Sequence, residues 1–116
     1  MVMPSRGDIF WVNLDPTVGS EIRKKRPAVV VSNNAANKRY DHVTVLPLTS
    51  KNTTKVEPFQ IFLSQEESSL KKDSKALAEQ IRTISKLRLG QWVGHLGLES
   101  IQKINQAVKI HLDLSE

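Results

Sequence analysis

The sequence contains no cysteine. That excludes a disulfide framework, a thiolate nucleophile and any zinc site with cysteine ligands. Glycine and proline number five each, and neither a repeat nor a low-complexity tract interrupts the chain. No linker divides it, and 116 residues fit one domain, 1–116. No apolar run reaches the length of a membrane span, and the opening "MVMPSRGD" lacks the apolar stretch of a signal peptide. These features lead us to expect a soluble cytoplasmic protein with no membrane association. There is no phosphate-cradling GxxxxGKS or GxxxxGKT run, and no GxGxxG follows a strand. His42, His95 and His111 are scattered, and the acids are dispersed apart from Glu66 and Glu67. Neither a metal nor a cofactor is expected.

Basic residues dominate what is present. Lysine and arginine total 17 against 12 acids, a net charge of +5. A small basic domain either carries solvated surface charge or binds a polyanion. Charge alone does not separate the two.

The pattern along the chain is mostly β. Residues 7–14, "GDIFWVNL", read as a strand with apolar residues on both faces, hence a buried one. "PAVVVS" (27–32) reads as a central strand, because three consecutive valines disfavour a helix. "NNAANKRYD" is polar and reads as a loop. "VTVLPL" (43–48) is a third strand, with Pro47 expected at its end or at an edge. "VEPFQIFL" (56–63) is a fourth. Ser64 and Glu67 form a capping-box pattern for a short helical turn. "KALAEQIRTI" reads as one or two short strands, "SKLRL" as a turn and "QWVGHL" as a last strand.

The period then changes. Leu98, Ile101, Ile104, Val108 and Leu112 fall three and four apart, the stripe of an amphipathic helix, with Glu99 in its first turn. Strands first and a helix last, without βαβ alternation, predict a mainly β fold with a C-terminal α-helix. The sheet should be small, curved and antiparallel, or a barrel.

Three segments offer chemistry. In "GSEIRKKRP" (19–27), Arg23, Lys24, Lys25 and Arg26 crowd into a loop between two strands, a pattern that suits phosphate contacts as well as a solvated charge run. Glu21 adds an acid. Pro27 biases Arg26 toward extended backbone angles, where its guanidinium offers a planar fork to a phosphate. In "LPLTS" (46–50), Thr49 ends an apolar strand and reads equally as a turn residue or a hydroxyl donor. In "AEQIRTI" (78–84), Gln80 and Arg82 share one side of an extended segment. They read evenly as nucleic-acid contacts or as structural groups, Arg82 then being a salt-bridge partner. Trp11 and Trp92 sit in apolar strands, which favours core or interface packing over base stacking.

In order, "RGDIFWVNLDPTVGSE", "KRPAVVVSN", "VTVLPLTS" and "LAEQIRTISKLRL" resemble the successive signature blocks of the MazF/PemK family of type II toxin–antitoxin toxins. The resemblance runs from Arg6 to about Leu89, and the C-terminal helix fits it. It implies an SH3-like barrel with a C-terminal helix, as also in the CcdB group, and a homodimer. It further implies metal-independent, sequence-specific cleavage of single-stranded RNA, chiefly mRNA, to 2′,3′-cyclic phosphate and 5′-hydroxyl ends. A cognate antitoxin would block the RNA groove.

By the same resemblance, Arg26 and Thr49 match the catalytic pair, and Glu21 matches a loop glutamate that would act as base. Arg23, Lys24, Lys25, Ser50, Lys51, Gln80 and Arg82 would contact RNA. Relatives often carry a glycine-rich segment where this chain has "IRKK", so its loop should be more basic and less able to adopt positive φ. Two other readings are a CcdB-like, gyrase-inhibiting toxin and a non-catalytic RNA- or DNA-binding module.

Overall fold

The computed structural model describes residues 3–114. Seven strands form one antiparallel sheet: β1 (Asp8–Asn13), β2 (Lys25–Val30), β3 (His42–Thr49), β4 (Gln60–Leu63), β5 (Ser74–Leu77), β6 (Arg82–Ser85) and β7 (Leu89–His95). The order is β4-β5-β3-β2-β1-β7, and β6 also pairs with β3. The end strands β4 and β7 do not pair, so the curved sheet is barrel-like without closing. Helix α3 (Leu98–His111) ends the chain, as its stripe predicted. No helix among the described residues is long and apolar enough to cross a membrane.

Alternation along the strands builds an apolar cluster on each face of the sheet. Ile9, Val29, Leu46, Leu48, Ile61, Leu63 and Ala76 face one way, where Ile104 and Ala107 of α3 cover them. Phe10, Val12, Leu14, Ala28, Val30, Val43, Val45 and Ile84 face the other. Burying each large aliphatic side chain contributes about 1.5–3 kcal/mol. Gly7 takes a φ of +96°, a backbone that favours glycine, and a Cβ there would press on Ile101 Cδ1 of α3 at 2.8 Å.

Several elements depart from the sequence reading. "NNAANKRYD" is not simply a loop: it contains helix α1 (Asn34–Arg39). Asn33 caps α1 by accepting from the Ala36 N–H at 2.8 Å, Lys38 and Arg39 occupy its last turn, and Asn37 is fully buried against Ser32. A buried asparagine served by backbone and hydroxyl partners disguises a helix as a polar loop. Pro47 lies inside β3 rather than at its end. On one flank β3 pairs with β6 through Val45 and with β5 from Leu48 onward, so Pro47 falls in the gap where neither neighbour has a register partner. The fourth strand starts only at Gln60. Leu98 and Leu112, the ends of the helical stripe, are exposed.

The Ser64–Glu67 capping box is present and opens helix α2 (Gln65–Ser68). The "KALAEQIRTI" segment forms β5 and β6 with a 3-10 turn at Ala78–Gln80 between them.

Candidate active site

The basic loop joins β1 to β2, and it is tied down. The Lys24 N–H donates to Asp15 Oδ1 at 3.1 Å, and the Lys24 carbonyl accepts from the Leu14 N–H at 3.0 Å. The Ile22 N–H donates to Gln80 Oε1 at 3.2 Å, and the Ile22 side chain packs on the second apolar cluster. Arg82 donates to the Leu14 carbonyl at 2.9 Å and Arg88 to that of Asn13 at 3.1 Å. So Gln80 and Arg82 both hold the loop, and Arg82 meets a carbonyl, not the carboxylate of a salt bridge. The loop also takes a positive φ without glycine, at Lys24 (φ 73°). Left-handed backbone costs a non-glycine residue about 1–2 kcal/mol, which these bonds offset.

Arg26 and Thr49 come from neighbouring strands. The β2–β3 register sets Ala28 opposite Pro47, Val29 opposite Leu46 and Val30 opposite Val45. That pairing ends at Ala28 and Pro47; Arg26 and Thr49 lie just beyond it on the two neighbouring strands, and alternation turns both toward the face of the second cluster. Each group is oriented by a local bond. Arg26 Nε donates to the Arg23 carbonyl at 2.9 Å, leaving the outer guanidinium nitrogens without a partner among the described residues. Thr49 Oγ1 accepts from the Lys51 N–H at 3.2 Å, so its O–H proton remains to donate. An anchored fork beside an anchored hydroxyl suits a tetrahedral or pentacoordinate phosphate.

Glu21 stands at the loop's outer edge. Its Oε1 accepts from the Val18 N–H at 2.6 Å, which leaves Oε2 without a partner among the described residues. Glu21, Gln80 and Arg82 line one cavity of about 230 Å³ with Ile22 and Glu79. Lys25, Arg26 and Ser50 line a separate groove of about 700 Å³ with Trp11 and Trp92. Of the site residues named from sequence, Glu21, Gln80 and Arg82 thus line the first cavity, Lys25, Arg26 and Ser50 the second, and Arg23, Lys24, Thr49 and Lys51 line neither. Lys25 and Arg26 begin β2 rather than belonging to the loop expected from the sequence, and among the described residues none of Arg23, Lys24, Lys25 or Arg26 forms an ion pair.

Of the two expectations for the tryptophans, core or interface packing, the structure excludes the core. Trp11 is 41% and Trp92 46% exposed. Sequence reasoning also passed over Asp15 and Arg88, which shape the loop, and Lys75, a buried lysine on β5. Asp15 stands before Pro16 within "RGDIFWVNLDPTVGSE", and an Asp-Pro step is a turn signal.

Comparison with known proteins adds to this geometry. The sequence profile of a family described as PemK-like, MazF-like toxin of type II toxin–antitoxin systems matches residues 5–112. The chain is 45% identical to endoribonuclease MazF9 of Mycobacterium tuberculosis, over 97% of this chain and 98% of that protein. It is 34% identical to endoribonuclease EndoA of Bacillus subtilis, over 94% of each chain. Among solved structures it superposes with a TM-score of 0.81 on a mycobacterial endoribonuclease in complex with its cognate antitoxin. That match covers 97% of this chain and 98% of the other at 26% identity.

Proposed function

Because the chain belongs to the PemK-like, MazF-like toxins of type II toxin–antitoxin systems, we propose that it is the toxin of such a pair and acts as an endoribonuclease. Residues 1–116 act as one toxin domain in the cytoplasm. The observation that carries the chemical reading is that Arg26 and Thr49 stand on neighbouring strands just past their paired stretch, each anchored by a local bond, beside a basic loop.

The substrate is single-stranded RNA, chiefly mRNA, recognised by sequence, and the reaction needs no metal. The RNA's own 2′-hydroxyl attacks the adjacent phosphorus. The O2′–P bond forms as the P–O5′ bond breaks, giving a 2′,3′-cyclic phosphate and a 5′-hydroxyl. Negative charge grows on the non-bridging oxygens as attack proceeds. The outer nitrogens of Arg26 and the hydroxyl of Thr49 donate to those oxygens. An arginine stays protonated at neutral pH, so its role is charge stabilisation rather than proton transfer. Glu21 takes the 2′-hydroxyl proton, and solvent returns one to the 5′-oxygen. Arg23, Lys24, Lys25, Ser50 and Lys51 grip flanking phosphates, while Gln80 and Arg82 hold the loop and border the path of the RNA.

The partners are a second copy of the chain and a cognate antitoxin. Trp11 and Trp92 flank the larger groove together with Lys25 and Lys72, an apolar and basic surface. It suits contact with a second copy, and it suits an acidic, partly apolar antitoxin segment. The endoribonuclease relatives favour this reading over a gyrase-directed toxin or a passive RNA- or DNA-binding module.

The test is RNA cleavage in EDTA by the wild-type chain and by Arg26→Ala. The reading expects metal-free cleavage by the first and a rate about 10²–10³-fold lower in the second, the usual loss for one transition-state donor. A strict need for metal, or full activity in the variant, would reject it.

A further inference from the structure

Lys75 lies in the middle of β5, only 8% exposed. Its strand neighbours define where it sits. It is the register partner of Thr49 on β3 and of Phe62 on β4. Alternation turns it away from the cluster that holds Ala76, onto the same face as Thr49. Lys75 thus stands directly beside Thr49 across β3 and β5, while Arg26 comes from β2 on the other flank of β3, its side chain on the same face by alternation.

The chemistry of this position is unusual. A mid-strand site hidden from water favours a β-branched or aromatic residue, not an ammonium. Burying a charge is costly unless an opposite charge or several hydrogen bonds meet it. Among the described residues Lys75 forms no ion pair. Its Nζ donates to one group, the Lys55 carbonyl, at 2.7 Å. An ammonium has three donors, so two remain, and the positive charge is uncancelled. The Lys55 carbonyl belongs to the loop that begins with Ser50 and Lys51, just past Thr49. One contact therefore fixes the ammonium instead of letting it extend into solvent.

We infer that Lys75 is a phosphate-binding residue, taking an RNA backbone phosphate adjacent to the one that Arg26 and Thr49 hold. The inference rests on the nuclease reading above and extends its binding site by one strand. The bound phosphate supplies the missing anion, and its oxygens accept the two remaining N–H groups.

The test uses the full chain and a mixed-sequence 2′-O-methyl oligonucleotide, which binds but lacks the attacking hydroxyl. Affinity is measured against KCl concentration for the wild type, Lys75→Met and Lys75→Arg. Each phosphate neutralised on a single strand contributes about 0.7 to the slope of log K against log salt. Lys75→Met should lower that slope by about 0.7, and Lys75→Arg should restore it. On cleavable RNA the Lys75→Met loss, about tenfold in kcat/KM, should fall mainly on KM, as for binding shared by ground and transition states. A merely structural lysine would lower Tm and leave the slope alone.

Should Lys75→Met not fold, the wild-type Lys75 ammonium can be followed by nitrogen NMR, assigned with Lys75→Arg. Its signal should shift and its protons become protected as the oligonucleotide is added. An unchanged slope, an unmoved ammonium signal, or a loss confined to antitoxin binding would overturn the inference while wild-type cleavage stands. Absence of RNA binding and cleavage by the wild type would instead overturn the nuclease reading itself.

Discussion

The backbone N–H of Ile22 donates to Oε1 of Gln80 at 3.2 Å, across 58 positions of sequence. This bond ties the basic loop to the 3-10 turn after β5, and with Arg82 it sets the height of the loop over the sheet. The side chain of Gln80 is thereby committed to shaping the site.

The first prediction concerns that bond. Gln80→Ala removes the acceptor and leaves the Ile22 N–H to solvent. A hydrogen bond of this kind contributes about 1 kcal/mol, so hydrogen exchange at Ile22 should quicken about fivefold. RNA affinity should fall with it, and the Tm by a few degrees. Exchange at Ile22 unchanged from wild type would remove Gln80 from loop positioning.

The exposed tryptophans support a prediction about assembly. Trp11 and Trp92 border the same groove and are each more than a third exposed. Apolar surface of that kind marks an interface more often than a free face. Trp11→Lys combined with Trp92→Lys should shift the chain toward monomer in sedimentation, with little change in its circular dichroism. A dimer of wild-type strength in the double variant would place the interface elsewhere.

Glu67 gives a prediction in pH. Its carboxylate is held below its ordinary value of 4.5, first by the Ser64 backbone N–H. Burial opposes that effect, and the Ser100 hydroxyl and Lys103 assist it. A carboxylate depressed in the folded state contributes stability above its ordinary value, and that stability is lost as pH falls through the folded one. The group is exposed, so the effect is small. Thermal melts taken downward from pH 4.5 should fall more steeply for wild type than for Glu67→Gln. Parallel curves would show that the capping box contributes nothing in acid.

Local signals proved readable. Ile101, Ile104 and Val108 announce α3 through their spacing, and Ser64 with Glu67 announces α2, because both patterns are complete within a few residues. Arg26 and Thr49 stand out by residue type at strand ends, and the family resemblance names them as a pair. What the sequence conceals is contact between distant segments. Arg26 and Thr49 come onto neighbouring strands only because β2 pairs with β3. Helix α1 depends on Asn37 finding partners in the interior. Pro47 is tolerated inside β3 because β3 changes neighbour at that place. Lys75 reads as one more surface lysine until β3 and β4 close around it.

The central claim is that Arg26 and Thr49 stabilise a phosphate attacked by the RNA's own 2′-hydroxyl. Mapping both ends of every cut in a mixed RNA pool, with EDTA present, tests it most directly. The account predicts 2′,3′-cyclic phosphate and 5′-hydroxyl ends at a recurrent sequence, with the cuts nearly lost in Arg26→Ala and in Thr49→Val. Ends carrying a 5′-phosphate and a 3′-hydroxyl would contradict it, because they require water, not the ribose, as the nucleophile.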